Sequence, residues 1–233
     1  MAGGRDVEMT KVGDSLDGIF VSDVEVDCYS VTLPGMVALP RNDLRALVVF
    51  AHGSGSSRLS PRNAYVARVL QEAGFGTLLF DLLTSTEEAV YHNRFNINLL
   101  AERLTAATDW LHGQGGLVDL NVGYFGASTG AAAALQASAR RRDVKAVVSR
   151  GGRPDLAWDY LDRVDAATLL IVGGSDDRAV MGFNERALGR LNLGSRKKDN
   201  ELVTIPGATH LFEEPGALEE MARIATKWFL KFL

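Results

Sequence analysis

Cysteine and histidine are scarce in this sequence of 233 residues, and it contains no long apolar run. The single cysteine, Cys28, excludes an internal disulfide and fits a reducing compartment. No apolar run approaches the length of about 18 residues that a membrane-spanning helix needs. Residues 1–15 are polar and lack the apolar stretch of a secretory signal. These absences predict a cytoplasmic protein.

Basic residues are not in excess either. The chain has 25 Lys and Arg against 29 Asp and Glu, a net charge of -4. A general nucleic-acid or membrane-surface binder needs a concentrated basic face, so the sequence predicts neither partner. The four histidines and one cysteine do not cluster as metal ligands, and Gly173-Gly174 lacks the GxGxxG context of a dinucleotide site. We therefore expect no metal and no organic cofactor.

The chain is long enough for one domain with a sizeable core, since 46% of its residues are hydrophobic. We assign residues 16–233 to that domain and expect residues 1–15 to be flexible. Residues 23–33 alternate in polarity, which suggests an edge hairpin with the segment before Leu39, broken at Pro34-Gly35. Further on, apolar runs alternate with segments of helical spacing. Strands are predicted at 46–51, 75–80, 120–125, 144–149, 168–172 and 201–205, and helices at 61–73, 99–111, 128–142, 183–191 and 215–232. This alternation indicates an α/β fold, a mainly parallel sheet with helices on both faces.

The most informative motif lies between a predicted strand and an alanine-rich helix. Residues 126–130 read Gly-Ala-Ser-Thr-Gly, a GxSxG pattern centred on Ser128. Glycines two positions on either side let the strand and helix approach closely, so that the serine hydroxyl sits on a tight turn at a helix N-terminus. The Thr129 amide and the helix dipole there would favour the negative charge of a tetrahedral intermediate. Ser128 is therefore the candidate nucleophile.

A serine nucleophile needs a base and an orienting carboxylate. His210 follows the last predicted strand, so it is expected at the same sheet edge as Ser128, whereas His92 and His112 are interpreted as solvated. Two aspartates follow the preceding strand. A Gly-Ser-x-Asp-x-x-Val count from Gly174 selects Asp177, and a Gly-Gly-x-Asp count selects Asp176. We favour Asp177 because of the downstream valine and keep Asp176 as the alternative.

The Gly/Ser-rich loop after the strand 46–51 reads His-Gly-Ser-Gly-Ser-Ser from position 52. Loops at the carboxyl ends of central strands bind ligands in open parallel sheets. An amide of this loop, from Ser54 or Gly53, is therefore expected to act as the second oxyanion donor. His52 is interpreted as bracing the loop.

These segments together resemble the α/β-hydrolase superfamily, and within it the small, lidless dienelactone hydrolase-like proteins. The resemblance rests on HGSGSSRLSPRN from His52, LLFDLLT from Leu78, GYFGASTGAAA from Gly123, SRGGRPD from Ser149 and GATHLFEEPG from Gly207. It implies an eight-stranded sheet whose first hairpin is antiparallel, and ester hydrolysis through an acyl-enzyme. The chain departs from dienelactone hydrolases proper in having Ser128 where those carry a cysteine. Similar domains occur fused to, or beside, phosphoribosyltransferase domains.

The resulting hypothesis is a carboxylesterase for short-chain or small esters and lactones, because residues 151–163 are too few for a large lid. Phe212, and Met181 or Phe183, are candidate pocket walls. One or two of the arginines that flank predicted sheet-edge loops are candidates for holding an anionic substrate group: Arg58, Arg62, Arg94, Arg150 and Arg153. The alternatives are a noncatalytic, receptor-like member of the superfamily, or a thioesterase or peptidase that uses the same triad. The sequence leaves a homodimer open.

Overall fold

The computed structural model describes residues 18–193 and 199–233, and the segment predicted to be flexible, residues 1–15, lies outside them. The described residues form one eight-stranded sheet with the strand order β1-β2-β4-β3-β5-β6-β7-β8. Its strands are β1 (Ile19–Cys28), β2 (Val31–Pro40), β3 (Ala46–Ala51), β4 (Phe75–Phe80), β5 (Val122–Ala127), β6 (Val144–Arg150), β7 (Ala167–Gly173) and β8 (Asn200–Ile205).

The strand directions confirm the predicted fold class. β2 is antiparallel to both of its neighbours, β1 and β4, whereas the pairs from β4 through β3 to β8 are all parallel. The hairpin turn, however, lies at Tyr29-Ser30, and Pro34-Gly35 is inside β2 rather than at a break. A proline within a strand loses only the hydrogen bond of its own missing N–H. Its carbonyl still accepts the Asp81 amide at 3.0 Å, so pairing continues through this point.

Helices cover both faces of the sheet. They are α1 (Pro61–Glu72), α2 (Ser85–Glu88), α3 (Ile97–His112), α4 (Thr129–Ser138), α5 (Arg178–Leu191) and α6 (Ala217–Phe232), with 3-10 segments at Tyr91–Phe95 and Pro154–Arg163. Buried residues of α3, α4 and α5 belong to one apolar cluster, and those of α1 and α6 belong to the other. All six residues of β3, β4 and β5 are buried, as expected for strands covered on both faces.

Helix α1 illustrates how local sequence sets these boundaries. The Ser60 side chain caps it by accepting the Asn63 amide, Pro61 occupies its first turn, and Gly74 follows its end with φ of 91°.

Strand β5 runs two residues further than predicted, which brings its last residue directly before Ser128. The carboxyl ends of β5, β6, β7 and β8 therefore carry their loops to one edge of the sheet.

Candidate active site

Ser128 occupies the turn between β5 and α4 in a strained conformation. Its φ of 52° and ψ of -119° lie outside the regions that residues with a side chain prefer, at a cost of about 1–3 kcal/mol. Backbone bonds hold the turn: the Ser128 amide donates to the Arg150 carbonyl, and the Arg153 amide donates to the Ser128 carbonyl, both at 3.1 Å. The serine side chain caps no helix amide, so its hydroxyl is free for other partners.

The two glycines of the motif are required by close backbone contacts. A Cβ on Gly126 would lie 2.4 Å from the Ala131 Cα, and one on Gly130 would lie 2.2 Å from the Ala51 carbonyl oxygen. Both distances are far below van der Waals contact. Gly126 thus lets α4 pack on its own strand, and Gly130 lets α4 pass β3, which is the arrangement that a nucleophile elbow needs.

His210 pairs with a buried carboxylate. Its Nδ1 lies 3.0 Å from Oδ2 and 3.2 Å from Oδ1 of Asp176, whose side chain is 1% exposed, while the imidazole is 37% exposed. The Asp177 amide donates to the same Asp176 Oδ1 at 2.7 Å. The Asp176 carboxylate accepts a hydrogen bond from Nδ1–H, which leaves Nε2 as the nitrogen that can act as the base.

The preference for Asp177 as the partner of His210 is therefore wrong, and the alternative, Asp176, holds that position. Asp177 is exposed and caps α5, since its Oδ1 accepts the Ala179 amide at 2.7 Å. Aspartate is among the best N-cap residues, and α5 begins at the next residue, Arg178. Of the two neighbouring aspartates, Asp176 thus pairs with His210, and Asp177 caps α5.

Two residues, Gly151 and Glu214, lie against the loop that carries His210. Gly151 has φ of 51°, and a Cβ there would lie 3.3 Å from Nδ1 and Cε1 of the His210 ring. Glu214 closes the other side, because it accepts the Thr209 amide at 3.0 Å and the Thr209 hydroxyl at 2.5 Å. These contacts fix the backbone directly before the imidazole.

The loop after β3 lies against the Ser128 turn. A Cβ on Gly53 would approach the Ser128 Cβ to 3.1 Å. The Ser54 amide, predicted as an oxyanion donor, donates to Thr129 Oγ1 at 2.8 Å. That amide is therefore engaged, and a substrate oxygen would have to displace the Thr129 hydroxyl to reach it. The Thr129 amide lies in the first turn of α4, where helix amides lack partners within the helix.

His52 braces this loop, as interpreted from the sequence. Its Nδ1 lies 3.0 Å from the Gly53 carbonyl, and its Nε2 accepts the Leu82 amide at 3.0 Å. The ring thus ties the loop to the segment after β4, with the proton on Nδ1. Burial lowers the pKa of His52, which keeps the ring neutral.

Ser128 and His210 line the same open cleft, with a volume of about 380 Å³. Its other lining residues are Arg153, Ser175, Asp176, Asp177, Val180 and Thr209. Arg153, predicted as an anion binder, thus faces the cleft, but its guanidinium pairs with Asp155 through two bonds of 2.8 Å. Much of its charge is neutralised there.

The other predicted substrate contacts do not line this cleft. Arg58 pairs with Asp81 at 2.9 Å. Phe212 is 1% exposed and belongs to the apolar cluster under α1 and α6, so it is a core residue and not a pocket wall. Met181 is half-buried and does not line the cleft, whereas the preceding residue, Val180, does. Within residues 18–193 and 199–233, no three His, Cys, Asp or Glu side chains form a metal site.

Sequence reasoning missed Gly151, the Thr129 side chain and Glu214. The Gly-Gly pair directly after β6 could have indicated the first, because a glycine after a strand often marks a close approach. Neither of the other two has a sequence signal, since each contact joins loops that meet only in the fold.

A strained serine after a central strand, a His-Asp pair on later loops and an eight-stranded sheet with one reversed strand define the α/β-hydrolase class. The model of the "Dienelactone hydrolase family" matches residues 33–232. The chain belongs to that family, which makes it a hydrolase by class. Among the described residues, no helix has the length and apolar character to cross a membrane.

Similar proteins agree on the fold. A dienelactone hydrolase from Anabaena variabilis is 53% identical, with a TM-score of 0.87, over 93% of this chain and 99% of that one. The esterase Est1E from Butyrivibrio proteoclasticus, at 17% identity and a TM-score of 0.73, covers 90% of this chain and 98% of its own, and shows the fold alone.

Two Mycobacterium tuberculosis relatives differ in length from this chain. Each is 54% identical over 212 residues, which are 91% of this chain but 46% of the relative. Their names describe them as candidate phosphoribosyl transferases. The chain therefore spans about half the length of these relatives, and their names refer to the whole proteins.

Proposed function

We propose that this chain is a serine hydrolase, most specifically a carboxylesterase that cleaves short-chain or small esters and lactones through an acyl-enzyme on Ser128. The observation that carries the proposal is the buried Asp176 carboxylate on His210 Nδ1, in a cleft that Ser128 also lines. A solvated surface histidine does not require a carboxylate partner that is 1% exposed. A catalytic base requires such a partner, because the carboxylate fixes the tautomer of the imidazole.

The proposed reaction has two halves. His210 Nε2 takes the proton of the Ser128 hydroxyl as its oxygen attacks the ester carbonyl, and the Thr129 amide donates to the developing oxyanion. The ester C–O bond then breaks, and His210 returns the proton to the leaving alcohol. Water enters, gives a proton to His210 and attacks the acyl group. The carboxylic acid leaves as Ser128 recovers its proton.

Small substrates fit the surroundings of the cleft. The connection between β6 and β7 forms only the 3-10 segment Pro154–Arg163. Long acyl chains need a deep apolar channel or lid, and neither lines this cleft among the described residues. Acetyl and butyryl esters should therefore be better substrates than acyl chains of lipid length.

A panel of 4-nitrophenyl esters of increasing acyl length tests this proposal in wild type and Ser128→Ala. We expect kcat/KM to be highest for the short esters and to fall at least about a thousandfold in Ser128→Ala, as for loss of a nucleophile. Ser22→Ala, on the edge strand β1, is the matched control and should keep wild-type turnover. Ester turnover that survives in Ser128→Ala would refute the assignment.

Labelling and substrate assays on the same protein also distinguish the esterase from two alternative functions. A noncatalytic, receptor-like member of the class would turn over no ester and would leave Ser128 unlabelled by an organophosphonate. A thioesterase or peptidase would react with the organophosphonate but would prefer acyl-thioester or peptide substrates over the matched oxygen ester. Either result would overturn the esterase assignment, and the second would keep the nucleophile.

A further inference from the structure

Arg150, the last residue of β6, is a buried cation without a counter-ion. Its residue exposure is 7%, and no nitrogen of its guanidinium hydrogen-bonds to any described residue. Among the described residues, the other buried arginine does have partners. Arg103, at 8% exposure, donates to Glu87 at 2.8 Å and to the Cys28 carbonyl at 3.1 Å. A buried charge is normally paired, so Arg150 lacks the partner that its position calls for.

The charge that acts on Arg150 is that of another cation. Burial, and secondarily the charge of Arg62, lowers the pKa of Arg150 to about 10, so the side chain still carries its charge at neutral pH. Arg62 lies in the first turn of α1, and its Nε is buried without a hydrogen-bond partner. Its terminal nitrogen bonds Glu213 at 2.8 Å. Of the two arginines, only Arg62 thus has a carboxylate partner, and each guanidinium keeps an unused Nε donor.

The segment that covers Arg150 is the one that follows His210. The Phe212 ring centroid lies 5.9 Å from the Arg150 guanidinium carbon. Phe212 has φ of 58°, an outlier for a bulky residue, and strain of this kind is found at ligand-binding sites. The Arg150 carbonyl accepts the Ser128 amide. Arg150 is therefore joined to the nucleophile by a backbone hydrogen bond, and its guanidinium contacts the residue two positions after the base.

We propose that Arg150, with Arg62, binds a phosphate group of the substrate beside the catalytic centre. Unused N–H donors from two separate elements, β6 and α1, suit the spread oxygens of a tetrahedral dianion better than a planar carboxylate, and guanidinium is the side chain of choice for phosphate. An incoming phosphate would take the place of Glu213 on Arg62. The substrate class that follows, which rests on the proposed function, is a carboxylic ester of a phosphorylated alcohol.

Binding is tested apart from catalysis by thermal unfolding in millimolar inorganic phosphate, at constant ionic strength with chloride. At about ten times its Kd, phosphate should raise the Tm of wild type and of Ser128→Ala equally, by about 3 °C. Arg150→Met should lose this shift, and in chloride alone its Tm should equal or exceed that of wild type, because a buried unpaired charge has been removed. Arg68→Met, an exposed arginine elsewhere on α1, is the control and should keep the shift.

Substrate choice is tested with acetylglycerol 3-phosphate and acetylglycerol. Wild type should favour the phosphorylated ester at least about tenfold in kcat/KM, and Arg150→Met should bring the ratio of the two kcat/KM values close to one. If no ester is turned over but the phosphate shift persists in Ser128→Ala, the proposed function fails and the phosphate site stands.

Three results would overturn the phosphate site. One is the absence of a saturable phosphate shift in wild type, a measurement that requires no variant. The second is an equal shift in Arg150→Met. The third is an equal shift with succinate, which would assign the site to carboxylates.

Discussion

Replacing each of the two neighbouring aspartates in turn gives a sharp test of the site. In Asp176, Oδ1 accepts the Asp177 amide at 2.7 Å and Oδ2 faces His210 Nδ1 at 3.0 Å. In Asp176→Asn, the carbonyl oxygen must stay on the Asp177 amide, so the NH₂ group takes the place of Oδ2. An NH₂ donor there forces Nδ1 to be the acceptor and moves the ring proton to Nε2.

A ring protonated on Nε2 cannot take the Ser128 proton. Loss of the correct tautomer in this type of triad costs about ten-thousandfold in kcat, or about 5.4 kcal/mol in the barrier. We therefore expect kcat/KM of Asp176→Asn on 4-nitrophenyl acetate to fall by about that factor, with a small change in Tm. The enzyme should still fold, because the shape of the side chain and its bond to the Asp177 amide are kept.

Asp177→Asn is the matched control, since asparagine caps helices as well as aspartate does. Its activity should stay within about threefold of wild type. Asp177→Ala should lose the cap of α5, about 1 kcal/mol and about 2–4 °C in Tm, again with activity kept. If Asp177→Asn is inactive and Asp176→Asn is active, the reading of the His210 contact is wrong.

Three other predictions follow from contacts in the fold. Gly151→Ala places a methyl group 3.3 Å from the His210 ring at a residue with φ of 51°. The substitution should lower kcat/KM by about ten- to a hundredfold and destabilise the fold by about 1–3 kcal/mol. Unchanged kinetics would show that the position of the ring does not depend on this glycine. Cys28, whose pKa burial raises to about 11, should resist iodoacetamide in the native protein at about pH 8 and react once unfolded, and fast native labelling would contradict its burial. Because burial lowers the pKa of His52, the unfolded state binds more protons below its normal pKa of about 6.5, so stability should fall as pH drops, by at most about 1.4 kcal/mol per pH unit from this residue. Urea unfolding at several pH values should show a shallower slope in His52→Gln, and equal slopes would contradict a neutral buried ring.

Much of the fold was readable because the signals are local. The strand β3 spans the predicted residues 46–51, since a short apolar run between polar residues fits a strand covered on both faces. Helix α1 has a serine cap, a proline in its first turn and a glycine after its end. The hairpin turn was missed because Tyr29-Ser30 carries no glycine, whereas Pro34-Gly35 looks like a turn but lies inside β2.

The choice between Asp176 and Asp177 depended on where α5 begins. The sequence interpretation placed helical spacing around Phe183, but α5 starts at Arg178, so Asp177 is its cap. An earlier helix start would have pointed to Asp176 for His210. Burial of individual arginines has no comparable signal. Nothing in the sequence distinguishes Arg150, at 7% exposure, from Arg58 or Arg153, because the Phe212 ring that lies over it comes from a distant part of the chain.

The most direct measurement of the central claim is mass spectrometry of the chain after reaction with a fluorophosphonate. We expect one adduct per chain, located on the peptide that contains Ser128, with none in Ser128→Ala and a strongly slowed reaction in His210→Ala. An adduct on a different residue would contradict the assignment of Ser128 as the nucleophile. So would a protein that hydrolyses 4-nitrophenyl acetate but whose Ser128 is not modified by the fluorophosphonate.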